Sequence, residues 1–255
     1  MLNEVKKLYD LGFAIHILKP KSKMPIESKW SSGSRKSWDS LQKSCKPGCN
    51  LGVRLGTASE IDGYFLAVID CDVKSKYKKH LDEMTQCLAS LAPAGCPTVM
   101  SGRGNGSRHL YIKTKAPLKP KKYSQSKFMV EVYMPSVKAS NNDLKALGED
   151  KIKKGIRLRA AWEISIMGEG QQVVLPPSIH PDSGLEYKWH NWSMPTGEGS
   201  FPLFEMPGLE IDSVPKKILN DLKFEPFDLI TSELSDKMIS LILKGDGCGG
   251  DKSAS

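Results

Sequence analysis

The chain has 255 residues, 39% hydrophobic and 26% charged, with a net charge of +8 and a pI near 9.1. That is room for one large globular domain, or one domain plus an appendage, and it excludes collagen-like and low-complexity classes. No apolar run approaches the ~20 residues needed to span a bilayer, and the N-terminus lacks a signal-peptide core, so a cytoplasmic protein with an anionic partner is expected.

The apolar spacing of Leu2, Val5, Leu8 and Tyr9 predicts a helix from Leu2 to Leu11, ended by Gly12. Phe13 to Leu18 reads as a strand, followed by a basic loop, Lys19 to Pro25, leading to Trp30. Trp38 to Ser44 reads as a short helix, and Asn50 to Gly56 as a strand bounded by glycine. Tyr64 to Val73 is an apolar run that reads as a buried strand. Lys74 to Leu91 carries Tyr77, Leu81, Met84, Leu88 and Leu91 at helical spacing.

Thr98 to Met100 reads as a strand, Ser101 to Gly106 as a mobile Gly-rich loop, and Ser107 to Lys113 as a strand. Phe128 to Tyr133 is a further strand. Pro135 to Arg159 is polar and reads as an insertion with a helical piece. Trp162–Ile166 and Gln171–Leu175 read as a hairpin across a Gly-Glu-Gly turn, and Tyr187–Trp189 as a short strand. From Val214 onward the pattern is helical, notably Leu229 to Leu243. Strands crowd the middle of the chain and helices its ends, which predicts an α+β fold with a mostly antiparallel sheet. The expected division is a large domain over 1–205, a helical appendage over 206–244 and a linker-like tail over 245–255 that suggests a longer polypeptide.

Six cysteines are present and none forms a CxxC pair. Cys45 and Cys49 are the one close pair, short of a zinc framework without distant partners. Reduced thiols are the expectation.

Chemistry concentrates in three segments. Asp70-Cys71-Asp72 closes the buried strand, and residues i and i+2 share a face. Two carboxylates held so close repel unless a cation lies between them, and a divalent ion with oxygen ligands, Mg²⁺ or Mn²⁺, suits them. Ser107-Arg108-His109 opens a strand behind the Gly-rich loop, whose backbone amides are candidates for holding phosphate oxygens. Trp162-Glu163-Ile164 places an acid between apolar neighbours, costly unless it is paired or metal-bound. The following Pro176-Pro177-Ser178-Ile179-His180 projects Ser178 and His180 from a rigid turn.

The ordered set resembles the bifunctional primase–polymerase branch of the archaeo-eukaryotic primase superfamily, in particular its phage and mobile-element members. Lys23-Met24-Pro25 with Trp30, Asn50 to Gly56, and Gly184, Tyr187 and Trp189 strengthen the likeness, which runs from about Phe13 to Trp189. The resemblance implies a primase catalytic core with an RRM-like sheet flanked by helices. It implies template-directed nucleotidyl transfer, with de novo primer synthesis and extension on single-stranded DNA. Asp70, Asp72 and Glu163 would hold two Mg²⁺ or Mn²⁺ ions; Ser107, His109, Arg103, Ser178 and His180 would contact the nucleoside triphosphate, with Lys23 and Arg54 as further phosphate or template contacts. In many relatives the third acid lies closer behind the first, a spacing that Glu131 fits better than Glu163. A helicase domain, fused or separate, is a partner the resemblance implies. A primase-fold module that binds nucleic acid without catalysis is the alternative. The absence of His-x-His argues against a replication-initiation endonuclease.

Overall fold

The computed structural model describes residues 2–61, 63–89, 91, 96–190 and 225–226. Three antiparallel sheets are present among them. The largest has eight strands. Its path runs β12 (Lys188–Trp189), β5 (Thr98–Met100), β6 (Arg108–Thr114), β4 (Tyr64–Val73), β10 (Trp162–Met167) and β7 (Lys121–Gln125). Off that path β3 (Gly56–Ile61) pairs with β4, and β13 (Glu225–Pro226) pairs with β6. A three-stranded sheet has the order β1 (Ala14–Leu18), β2 (Asn50–Arg54), β11 (Gln172–Leu175). A separate hairpin joins β8 (Met129–Tyr133) to β9 (Ile156–Ala160).

The central strand β4 organises the packing because its side chains alternate between two cores. Leu66 and Val68 point into a core shared with Ile15, Ile17, Leu51, Val53 and Val173 of the three-stranded sheet. Helices α1 (Leu2–Asp10) and α2 (Trp38–Ser44) close that layer through Val5, Leu8 and Leu41. Ala67, Ile69, Cys71 and Val73 point the other way, onto Met84, Cys87 and Leu88 of α3 (Lys78–Ala89). Each large aliphatic side chain so buried contributes about 1.5–3 kcal/mol. Asp70 and Asp72 continue the first face, at the strand end where the apolar residues stop.

The antiparallel α+β expectation holds, with differences in detail. The hairpin expected between Trp162–Ile166 and Gln171–Leu175 does not form: β10 pairs with β4 and β7, whereas β11 pairs with β2 in the other sheet. The connecting turn carries the chain between layers. Glu169 anchors it by accepting from Thr57 N at 2.7 Å and Thr57 Oγ1 at 2.8 Å. Gly56, at φ +71°, lets the backbone turn against that side chain; a Cβ there would collide with Glu169.

Helix α3 begins four residues later than its pattern suggests, because the amides of Lys74 and Ser75 donate to Ala161 O. The polar insertion contains α4 (Asn141–Ala146), α5 (Glu149–Lys153) and β9. Asp143, fully buried, ties it together: it accepts from Ser140 N at 2.8 Å and Leu158 N at 2.6 Å. Within the segment expected to be helical, Glu225–Pro226 is a short strand, and Leu229–Leu243 and the tail lie outside the described residues. Cys45, Cys49, Cys71, Cys87 and Cys96 are free thiols. No helix among the described residues is long and apolar enough to cross a membrane.

Candidate active site

Asp70 and Asp72 lie in a cleft of about 160 Å³ between the large sheet and β11. Strand β6 brings His109 opposite Asp70, and strand β10 brings Glu163 opposite Asp72, in each case as Cα partners. Lys23, Arg103, Ser107 and His180 line the same cleft with Gln172.

The acids are not gathered around one point. Among the described residues no group of three His, Cys, Asp or Glu side chains is placed to hold a metal ion. Instead, Lys74 Nζ lies 3.2 Å from Asp72 Oδ2 and 3.4 Å from Glu163 Oε2. Arg103 Nη1 takes the other Asp72 oxygen at 3.2 Å, and Lys122 Nζ approaches Glu163 Oε1 at 3.1 Å. Asp70 Oδ1 faces His109 Nε2 at 3.4 Å.

The electrostatics follow from this geometry. Burial in the cleft floor, then the Asp72 charge and that of Glu163, push the Asp70 carboxyl up to about 7, against the pull of Lys23 and Lys74. Burial also opposes ionisation of Asp72, but Lys74 and Arg103 outweigh it and hold that carboxyl below its usual range. Burial and the Lys23 charge push the His109 imidazole down to about 3, so it is neutral at physiological pH. His180 is lowered by burial, Lys23 and Arg103.

In donor type, though not in placement, these residues suit divalent cations. The donor set is all carboxylate oxygen, the choice of hard ions. One acid resists ionisation because of its burial and its acidic neighbours, and a lysine ammonium occupies the position between the other two.

Each residue singled out from the sequence has a definite place. Glu131 is on β8, in the separate hairpin, paired with Lys151 at 2.5 Å, and is not among the residues lining the cleft. Glu163 is opposite Asp72 on β10 and, like Glu131, is not among the residues lining the cleft. Arg103 bridges Asp72 and Asp182. Ser107 Oγ accepts from Val73 N at 2.8 Å, and lies 3.4 Å from Asp72 Oδ1; it pins the end of β4. Ser178 is not where the sequence suggests. Its Oγ accepts from Leu51 N at 2.8 Å and donates to Leu51 O at 3.2 Å, so it welds its turn to β2 and is not among the cleft-lining residues. His180 does line the cleft, with Nδ1 accepting from Asp182 N at 3.2 Å. Tyr187 packs between the imidazoles of His109 and His180, at 5.9 and 5.7 Å. Arg54 lies elsewhere, bonded to Ser31 O at 3.0 Å beside a second cavity near His16 and Trp30.

The Gly-rich loop is not the open amide cradle its composition suggests. Arg103 N and Gly104 N donate to Ser101, Ser107 N donates to Asn105 Oδ1, and Asn105 Nδ2 donates to Val73 O. Gly102 is flush against the 180–185 turn, where a Cβ would collide with Leu185 O. The exposed Lys23 and the half-buried Arg103, itself paired with Asp72 and Asp182, rather than loop amides, are the cations placed to meet an anion. Lys74 is a residue that sequence reasoning missed. It continues the i, i+2 series from Asp70 and Asp72, and that period was the available signal.

A family model described as the N-terminal domain of bifunctional DNA primase/polymerase matches residues 6–207. The chain belongs to that family. No curated protein matches it.

Proposed function

We propose that the chain is a template-directed nucleotidyltransferase that makes primers de novo and extends them on single-stranded DNA. The observation that carries this reading is that Asp70 and Asp72 lie in a cleft lined by Lys23 and Arg103, with Glu163 opposite Asp72 on the adjacent strand, within a primase/polymerase domain. Two Mg²⁺ or Mn²⁺ ions on these carboxylates would supply charge neutralisation at the phosphates and activation of a 3′-hydroxyl. Lys23 and Arg103 meet the triphosphate oxygens. Arg103 leaves Asp72 to do so, and Lys74 withdraws from the carboxylates it neutralises. His109, neutral and buried against Tyr187, offers a hydrogen bond at fixed orientation rather than a charge. Ser107 holds the end of β4 so that both aspartates keep their place.

The direct test supplies single-stranded DNA, labelled ribo- or deoxyribonucleotides and Mg²⁺ or Mn²⁺, with no primer. Product is expected from the native chain and none from Asp70→Ala or Asp72→Ala; polymerisation by either folded variant sinks the assignment. One observation favours the second reading, a non-catalytic nucleic-acid-binding module: Lys74 already neutralises Asp72 and Glu163. The two separate by thermal melting, because only the enzyme gains stability from Mn²⁺ with a nucleoside triphosphate.

A further inference from the structure

We propose that Tyr77 and Phe128 form a stacking platform for a single nucleic-acid strand beside the acid cleft. The proposal rests on the polymerase reading and locates its template. Two lysine-rich runs, 74–79 and 115–127, each read alone as a solvated surface. The fold brings their ends together around aromatic rings. Tyr77 is 67% exposed and Phe128 52% exposed. Between them lies His80, only 3% exposed, edge-on to Tyr77 at 6.0 Å and stacked on Phe128 at 5.2 Å. Ser75 Oγ fixes the His80 ring through Nδ1 at 2.6 Å. The exposed rings therefore rest on a rigid, buried support.

The surrounding charge selects the occupant. Lys79 Nζ lies 5.0 Å from the Phe128 ring centroid; Lys76 and Lys78 flank Tyr77, Lys78 also pairing with Asp82 at 2.9 Å, and Lys127 precedes Phe128. A purely apolar partner would have to strip water from these ammonium groups. A nucleic-acid strand offers bases to the rings and phosphates to the lysines, the combination that single-strand binding surfaces use. The position suits a template. Tyr77 is three residues beyond Lys74, and Phe128 three beyond Gln125, the Cα partner of Glu163. Three residues reach at most about 11 Å. The platform therefore begins within that distance of the strand ends that carry Asp72 and Glu163, on the α3 side of the sheet.

The test is fluorescence anisotropy of a labelled oligothymidylate with the full chain. Tyr77→Ala and Phe128→Ala are each expected to weaken binding about tenfold or more, whereas Tyr77→Phe binds like the parent. Lys79→Gln should reduce the slope of log affinity against log salt by about one. Tyr77 is largely exposed, so its alanine variant keeps the parental melting temperature and removes misfolding as an explanation. Unchanged binding by both alanine variants overturns the platform, as does equal competition by duplex DNA or no binding by the parent chain. Stabilisation by Mn²⁺ with a nucleoside triphosphate, measured without any strand, reports on the acids separately, so the two readings can fail independently.

Discussion

Glu163 and Asp72 stand directly opposite one another across β10 and β4, and the single ammonium of Lys74 lies within 3.4 Å of both carboxylates. On the proposed reading a lysine and a divalent cation would compete for one place. Lys74→Gln is expected to cost about 1 kcal/mol of stability in chelator, because it removes the one ammonium the two facing carboxylates share and leaves Asp72 to Arg103 and Glu163 to Lys122 alone. Added Mn²⁺ should then restore more stability to the variant than it adds to the parent. Melting curves titrated with Mn²⁺ decide this; identical metal dependence in the two proteins would mean that lysine and metal do not share the site.

The third acid is assigned by position. Glu163→Gln should lower primer synthesis by about 10²–10³-fold, the scale of losing a group that stabilises transition-state charge. Glu131→Gln, which removes only an exposed pair with Lys151, should change it less than about twofold. Reversal of that order in an initial-rate assay would move the metal site to the β8–β9 hairpin.

Two residues flanking the site should behave differently. Ser178→Ala leaves the buried Leu51 amide without its acceptor, at a cost of about 1–3 kcal/mol, with an unaltered KM for nucleotide. His109→Ala should raise that KM about tenfold, since it removes a ground-state contact. Urea melts paired with steady-state kinetics separate the two effects; a KM change in the serine variant or none in the histidine variant contradicts the roles assigned here.

His16 supplies a pH signature. Burial, with the Arg54 charge, pushes its imidazole from 6.5 down to about 4, despite the bond to Gln172. Between these values the unfolded chain binds a proton that the folded chain does not. Stability from this residue is therefore fully present above about pH 6.5 and is lost as pH falls toward 4. The loss is on the order of 3 kcal/mol at most. The stability of His16→Gln should fall less than that of the parent from pH 7 to pH 4; parallel urea midpoints across that range would contradict the assignment.

Much of this was legible in the chain because the physics is local. An uninterrupted apolar run ending in Asp-Cys-Asp has few solutions other than a buried strand with two acids on one face, and β4 runs from Tyr64 to Val73 as its pattern requires. Strand β7 was hidden because Lys121-Lys122-Tyr123-Ser124-Gln125 has one large apolar side chain, and sheet membership rather than propensity makes it a strand. The false hairpin has a similar origin: alternation shows that β10 and β11 are strands, but not that they belong to different sheets. Ser178 looked like a ligand because a buried serine bonded to backbone and a serine facing substrate are identical in sequence. Lys74 heads a lysine-rich run that looks solvated in sequence, and the partner that gives it away, Glu163, lies across the fold.

The alternation of β4 between two cores has a consequence for how the gene can vary. Shift the strand by one residue and the carboxylates would enter the layer of Met84 and Cys87, while Cys71 would face the cleft. Single-codon insertions or deletions within 66–72 should therefore abolish folding and chemistry together, leaving no inactive but well-formed intermediate for selection to retain.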